Sequence, residues 1–379
     1  MAVGFPTKAN WAAGDVLTAA QMDDLAGTVN YLSPVGQTNG STLVANSANA
    51  SGLGWSPTFF AGKNKIINGD FGIWQRGTTF NACATGTYTA DRWSGIFMNG
   101  TVNVTRQAFT AGTAPVAGYE SSYYLQLART ATAGTNDYFG NKMEDVRTFA
   151  GQTVTYSFWA KATSGTPTVL FYLSQNFGSG GSASVDIAAT TQATLSTSWA
   201  RYSATFTVPS IAGKTIGTNS YLAALFALQI ADGNNTWQIW GVQVESGSNA
   251  TQFQTATGTL QGELAACQRY YWRSTSAALY SHYGLGACFS TTNASVDIKL
   301  PVTMRVAPSS VDYGTLANYR LWNSSTAVVV TSMSIDTSTT TQDILDVNVG
   351  VASGLTTGTT VYLTANNSAA TFIGASAEL

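Results

Sequence analysis

The sequence predicts a mainly β protein: a short N-terminal helix, a β-sandwich, a second short helix and a C-terminal β-rich domain. Three observations predict it. Several runs alternate apolar and polar residues with period two, as half-buried strands do. Thr, Val, Tyr, Phe and Trp are plentiful, and 37 glycines supply turns between short strands. Only 9% of residues are charged, against about 25% in typical soluble chains, so Ser, Thr, Asn, Gln and Gly must form most of the polar surface.

The same composition excludes some functions. With 44% hydrophobic residues in a chain of 379, there is ample material for a core, and charge-driven disorder is excluded. The formal net charge is -2 and no Lys/Arg run occurs, so no nucleic-acid partner is expected. The longest apolar stretch, Tyr221–Ile230, falls well short of the roughly 20 residues that span a bilayer, and no membrane insertion is expected. The opening MAVGFPTKANW has neither a basic start nor an apolar run, so no signal peptide is expected. Cys83, Cys267 and Cys288 are odd in number and widely spaced; they read as small buried hydrophobes in a protein assembled in a reducing cytoplasm.

Residues 1–32 form a predicted attachment segment. Thr18 and Gln21 match a capping box, with Leu17 and Met22 as its staple. Met22, Leu25, Val29 and Leu32 then form a narrow apolar seam. A lone helix of this length is marginal in water, so it needs a partner: other copies in a short coiled coil, or its own chain. Residues 33–61 are rich in Gly, Ser and Asn and predict a linker or thin shaft.

Residues 62–257 predict a two-sheet sandwich. Val154, Tyr156 and Phe158 alternate with polar neighbours, and Tyr202, Ala204, Phe206 and Val208 share one face. In WQIWGVQVES, strict alternation puts Trp240, Val242 and Val244 opposite Trp237 and Ile239. Tyr221–Ile230 alternates too, which favours a core strand over a helix. Residues 258–379 open with a helix, whose predicted buried stripe is Leu260, Leu264, Cys267 and Tyr271. Strand patterns then return in VDIKLPV, AVVVTSM, DILDVNV and TVYLTA.

Certain blocks resemble a known family. NKIINGDFGIWQRGTTF (Asn64–Phe80) with YTADRW (Tyr88–Trp93) is similar to the opening of a module found in phage and prophage tail fibre proteins. WGVQVESGSNATQF (Trp240–Phe253) with GELAACQRYYWR (Gly262–Arg273) is similar to its close. LPVTMRVAPS and IGASAEL are typical of the region that follows, and GSTLVANSANASGLGW is similar to shaft segments. The resemblance implies a jelly-roll-like sandwich akin to carbohydrate-binding modules. It further implies a structural fibre protein on the virion exterior, usually a homotrimer, joined to other virion proteins through its N-terminal segment and contacting a host-surface glycan or receptor. A capsid-surface fibre or decoration protein is the alternative, and a glycan-cleaving depolymerase is the rival from another class. Related jelly rolls hold a structural calcium, but Gly72 and Gly241 stand here where acids would be expected; Asp70 and Glu245 then read as a surface turn and a surface strand end. No metal and no cofactor are expected.

No enzyme is expected. His282 is the only histidine, so a two-histidine metal site is ruled out, and no Gly-X-Ser-X-Gly elbow offers a nucleophile. His282 reads as packed between Tyr280 and Tyr283. Glycan cleavage needs two carboxylates roughly 5 to 10 Å apart; the visible clusters are Glu144-Asp145 and Asp343/Asp346, each better read as a turn or strand end. Sugar binding needs exposed rings beside neutral donors and acceptors. Trp74, Trp93, Phe158, Trp159 and Trp240 sit in patterned segments and are assigned to the core. Tyr123, Tyr124, Tyr138 and Phe177 lie beside turn-formers and are the candidate glycan-binding residues.

Overall fold

The computed structural model describes residues 41–45, 53–57, 61–116, 119–323 and 325–379. The predicted helix and its seam, Met22, Leu25, Val29 and Leu32, lie outside the described residues. The chain divides into two compact units, residues 1–60 with 249–254, and residues 61–248 with 255–379. In the first unit, strands β1 (Ser41–Ala45) and β2 (Leu53–Pro57) pair antiparallel, within the stretch expected to be a linker.

The second unit begins with the expected sandwich. Its strands are β3 (Thr79–Phe80), β4 (Trp93–Phe97), β5 (Thr101–Ala108), β6 (Tyr123–Ala131), β7 (Asp137–Glu144), β8 (Thr153–Ala162), β9 (Thr168–Asn176), β10 (Val185–Ile187), β11 (Gln192–Thr194), β12 (Ala200–Thr207), β13 (Tyr221–Leu228) and β14 (Thr236–Ser246). One sheet runs β10-β9-β13-β7-β4, with β11 also on β9; the other runs β12-β8-β14-β6-β5-β3. Alternation fills the space between them. Tyr156 and Phe158 from one sheet meet Phe171 and Phe226 from the other at ring distances of 4.9 to 5.7 Å. Trp93 closes one end of this core against Phe71 and Phe139. Tyr221–Leu228 is a core strand, as its alternation predicts.

The family-like opening and closing blocks meet in space. The Asn64 amide donates to the Val242 carbonyl and accepts from the Val244 amide. Asn68 has a positive φ of 58° and ties three segments together. Its side chain donates to the Ile73 and Asp91 carbonyls and accepts from the Ile73 amide, and its backbone carbonyl receives the Trp93 indole N–H. A Cβ at Gly69 would come within 2.2 Å of the Val242 carbonyl oxygen, so only glycine fits where the Asn68 turn crosses β14.

Strand β14 departs from strict alternation. Its register against β8 shifts between Trp240 and Gln243, and Gly241 in that bulge has φ 64°. The extra residue returns Val242 and Val244 to the same core as Trp237 and Ile239. Trp240 is left opposite Trp159, on the outer side of the sheet. Trp159 is therefore only half-buried, not a core residue.

Helix α1 (Leu260–Gln268) is capped by the Thr259 hydroxyl, which accepts from the Gly262 amide. Its buried side holds Glu263 and Cys267, while Leu260 is 73% and Leu264 36% exposed, which corrects the predicted stripe. Glu263 turns inward because its carboxylate accepts from the Thr257 amide and hydroxyl and from the Asn68 amide. Those donors outweigh the apolar pattern.

Nine strands follow: β15 (Tyr271–Thr275), β16 (His282–Cys288), β17 (Asn293–Lys299), β18 (Val311–Tyr313), β19 (Tyr319–Trp322), β20 (Ala327–Ile335), β21 (Ile344–Val351), β22 (Thr360–Ala365) and β23 (Phe372–Ser376). Six close a barrel in the order β16-β17-β21-β20-β19-β22, and β15-β23-β18 form a small sheet. Val296, Leu321, Leu345, Val347 and Leu363 fill the barrel core. After β23, residues 377–379 lie along the sandwich. Glu378 pairs with Arg76 and Arg92, Arg305 donates to the Ala377 and Glu378 carbonyls, and Tyr88 and Lys142 donate to a Leu379 main-chain oxygen. All three cysteines are buried and free.

Candidate functional site

The first sheet presents an outer face whose register can be read strand by strand. One row runs Phe97, Tyr138, Ala227, Leu170 and Gln192. The next holds Gly140, Leu225 and Tyr172, and a third holds Lys142, Ala223, Ser174 and Asp186. In the first row the small Ala227 lies between Tyr138 and Leu170, and in the second Leu225 lies between Gly140 and Tyr172, so the rings stand at the flanks of β13. Phe97 is 58% exposed and meets Tyr138 edge-on at 6.0 Å. The Tyr172 phenol is pushed well above its ordinary value by burial, then by Asp186 and Tyr138, which puts these three groups in one electrostatic neighbourhood. Lys142 is lowered by burial and by Arg92, and its ammonium sits 4.9 Å over the Tyr221 ring. Rings beside hydroxyl, amide and carboxylate groups are what a saccharide requires: apolar C–H faces stack, and hydroxyls find partners.

The four predicted residues do not converge. Tyr138 lies on this face. Tyr124 lies on the outer face of the second sheet, in a cluster with Phe109 at 4.7 Å and Trp199 at 5.3 Å. Tyr123, one residue earlier, points to the other side, under the Arg106 guanidinium at 4.1 Å. It borders a cleft of about 370 Å³ that Asp70, Tyr119 and Leu260 also line. Phe177 is 1% exposed and offers no ring to a ligand. The glycines around it let the chain fold back onto residues 215–218, where the Gly217 amide donates to the Phe177 carbonyl. Phe97, Tyr172, Phe109 and Trp199 were missed. Phe97 carried a signal, since it precedes the turn at Asn99-Gly100.

The acidic residues are engaged in structural roles. Glu144 accepts from Arg269 and the Tyr270 hydroxyl, and Asp145 pairs with Arg147. Asp343 accepts from Thr303, and Asp346 from Ser295 and Thr339. Glu245 is fully buried beside Lys63 and Gln243, a correction to its assignment at the surface. Asp70 accepts from the Tyr119 hydroxyl at 3.1 Å and the Gly72 amide at 3.3 Å, and burial raises it above the usual carboxylate value. It is part of a bonded cluster, not a free surface turn. Among the described residues no group of three or more His, Cys, Asp or Glu side chains could hold a metal ion. His282 is exposed and faces Tyr362 and Trp322, at 4.8 and 6.0 Å, instead of packing between Tyr280 and Tyr283.

No curated protein matches the chain in sequence. Among solved structures, similarity extends to the enzymatically active domain of tailspike protein 4 of bacteriophage CBA120, with 16% identity and a TM-score of 0.30 over 49% of this chain and 22% of that one. A structure described as CBM4 has 19% identity and a TM-score of 0.31, over 48% of this chain and 99% of its own. The C-terminal family 22 carbohydrate binding module of Clostridium thermocellum Xyn10B has 19% identity and a TM-score of 0.30, over 46% and 97%. The family model described as a carbohydrate binding domain matches residues 94–220, so the sandwich contains a segment like a carbohydrate-binding domain.

Proposed function

We propose that the sandwich binds surface glycan without cleaving it, through the outer face that carries Phe97, Tyr138 and Tyr172. The observation that carries this reading is the carbohydrate-binding-domain match over residues 94–220, which spans most of the strands that build this face. Phe97 and Tyr138 supply stacking surface, and the exposed Asp186 and Gln192 supply polar partners. Phe97 is exposed and Tyr138 half-buried, while Tyr172, Leu225, Ala223 and Ala227 between them are buried, so a single site offers little ring surface and binds weakly, and several copies raise avidity through effective concentration. The absence of cleavage is part of the proposal; its support is that Glu144, Asp145, Asp343 and Asp346 are each held in structural hydrogen bonds.

We further propose that the chain is a virion fibre protein, trimeric through the seam Met22, Leu25, Val29 and Leu32. The sequence blocks at Asn64–Trp93 and Trp240–Arg273 support this. The test is a glycan array with the full-length protein, followed by Phe97→Ala and Tyr138→Ala. Each ring deletion should weaken binding by roughly 5- to 30-fold, the scale of about 1–2 kcal/mol per stacked ring. Binding that survives both changes but falls with Tyr124→Ala or Trp199→Ala would move the site to the second sheet. No binding to any saccharide would sink the binder reading, and new reducing ends from a bound polysaccharide would make the protein an enzyme. A monomer in light scattering at micromolar concentration would remove the trimer.

A further inference from the structure

The barrel's outer wall carries an arrangement that the sandwich does not use. Strands β19, β22 and β16 are neighbours. Their register sets two rows side by side: Arg320, Thr364 and His282 in one, Trp322, Tyr362 and Leu285 in the other. The Trp322 and Tyr362 rings are 6.0 Å apart, and His282 lies 4.8 Å from Tyr362. Inward neighbours Tyr319, Leu321 and Leu363 anchor these strands in the barrel core, so the platform is held by packed strands and not by a loop. Leu285 is 49% and Tyr362 37% exposed.

Arg320 distinguishes this patch from a merely apolar one. Its guanidinium stacks 4.4 Å over the Tyr280 ring, and its Nε donates to the Thr364 hydroxyl at 3.2 Å. Those contacts fix the plane of the fork. Its two terminal nitrogens have no acceptor among the described residues, and Arg320 forms no ion pair there. Arg76, Arg92, Arg129, Arg147 and Arg269 are paired with carboxylates; Arg106, stacked over Tyr123, is not, but Arg320 alone of the two lies beside the Trp322–Tyr362 rings. An oriented arginine with two free donors is matched to a planar carboxylate. Beside it lie rings suited to the apolar face of a sugar. The two rows are about 7 Å apart along the strands, two residues at ~3.4 Å each. A pyranose lying on the Trp322–Tyr362 row can therefore place an exocyclic carboxylate on the Arg320 row.

We propose that this wall of the barrel is a second saccharide site, selective for an acidic pyranose. The sugar's C–H face rests on Trp322 and Tyr362, its carboxylate takes the Arg320 fork, and His282 flanks its hydroxyls. The site is separate from the sandwich face and does not depend on it.

The test uses full-length protein and isothermal titration with three probes: an oligogalacturonate, its carboxyl-reduced neutral counterpart, and a sialylated trisaccharide. The two acidic probes separate a uronate within a polymer from a terminal sugar acid. At least one acidic probe should bind, and for an oligogalacturonate the neutral counterpart should bind roughly 10-fold more weakly or worse, as expected for a lost charge-assisted hydrogen bond pair. Arg320→Gln should erase that preference. Arg320→Lys should restore only part of it, because an ammonium keeps the charge and loses the fork. Trp322→Ala should weaken the acidic probe, while Phe97→Ala on the sandwich should leave it unchanged. Unchanged melting curves for the Arg320 variants would tie the losses to recognition. The proposal is overturned if neither acidic probe binds, or if binding is indifferent to both Arg320→Gln and Trp322→Ala. Loss with Phe97→Ala instead would assign acidic binding to the sandwich.

Discussion

Asp70 shows how a motif residue can be legible in kind and not in role. The run Asn68-Gly69-Asp70-Phe71 stood out in the sequence. What could not be read is that Asn68 would spend its side chain on backbone groups of Ile73 and Asp91, or that Tyr119, 49 residues away, would cover Asp70. Long-range partners leave no local periodicity. Burial raises the Asp70 carboxyl above its usual 3.8, and Glu263 is raised for the same reason. A carboxyl raised on folding favours the folded state when protonated, so its contribution is fully present below the unfolded value and is lost as pH rises through the folded one. At neutral pH the ionised Asp70 therefore costs stability. Asp70→Asn, whose Oδ1 can still accept from the Gly72 amide and whose Nδ2 can donate to the Tyr119 hydroxyl oxygen, should raise the melting temperature at pH 7. The gain should shrink as pH falls and vanish below about pH 3.8. A lower melting temperature at pH 7 would show that the charge is needed.

At the level of strands and helices, period two was a good guide wherever the strand was regular. The faces of Val154–Phe158 and Tyr202–Val208 follow it. It failed in β14, where one residue at Gly241 resets the count; the helical period failed in turn at Leu260 and Leu264 of α1, where carboxylate hydrogen bonds choose the buried side. Both failures have a cause that composition hides: a left-handed backbone in one case, a polar ligand set in the other. Gly241→Ala tests the first. An L-residue there meets a left-handed cost of about 1–2 kcal/mol. Denaturant melts should record that loss, with a shift in tryptophan emission as Trp240 and Trp159 move. An unchanged melt would mean the bulge tolerates a side chain.

For the second unit as a whole, the sandwich and barrel are not independent. Arg92 and Glu378 are a nearly buried pair, and removing one partner of such a pair costs about 3–5 kcal/mol. Arg76, Arg305, Lys142 and Tyr88 add hydrogen bonds to the same three residues. Calorimetry of the intact chain should show the sandwich and barrel melting in a single transition. Deletion of residues 377–379 should separate it into two, the barrel and the sandwich each unfolding alone. Two transitions in the intact chain would show that the clasp carries no coupling. The mainly β class was visible in the sequence because it depends on many repeated local patterns. The clasp was not, because it depends on a few charges brought together from opposite ends of the unit.

That clasp also bears on the timing of synthesis. Arg92 and Glu378 are 286 residues apart, so the sandwich's buried arginine waits for its counterion until nearly all of the described chain has left the ribosome. Pairings this remote close slowly, because loop entropy is lost before the contact repays it. During that interval the sandwich carries an uncompensated charge at its base and an unfinished neighbour, the condition in which nascent β-chains associate wrongly. Chains released early by a ribosomal stall within the barrel would thus be expected to collect in the insoluble fraction, however intact their sandwich sequence.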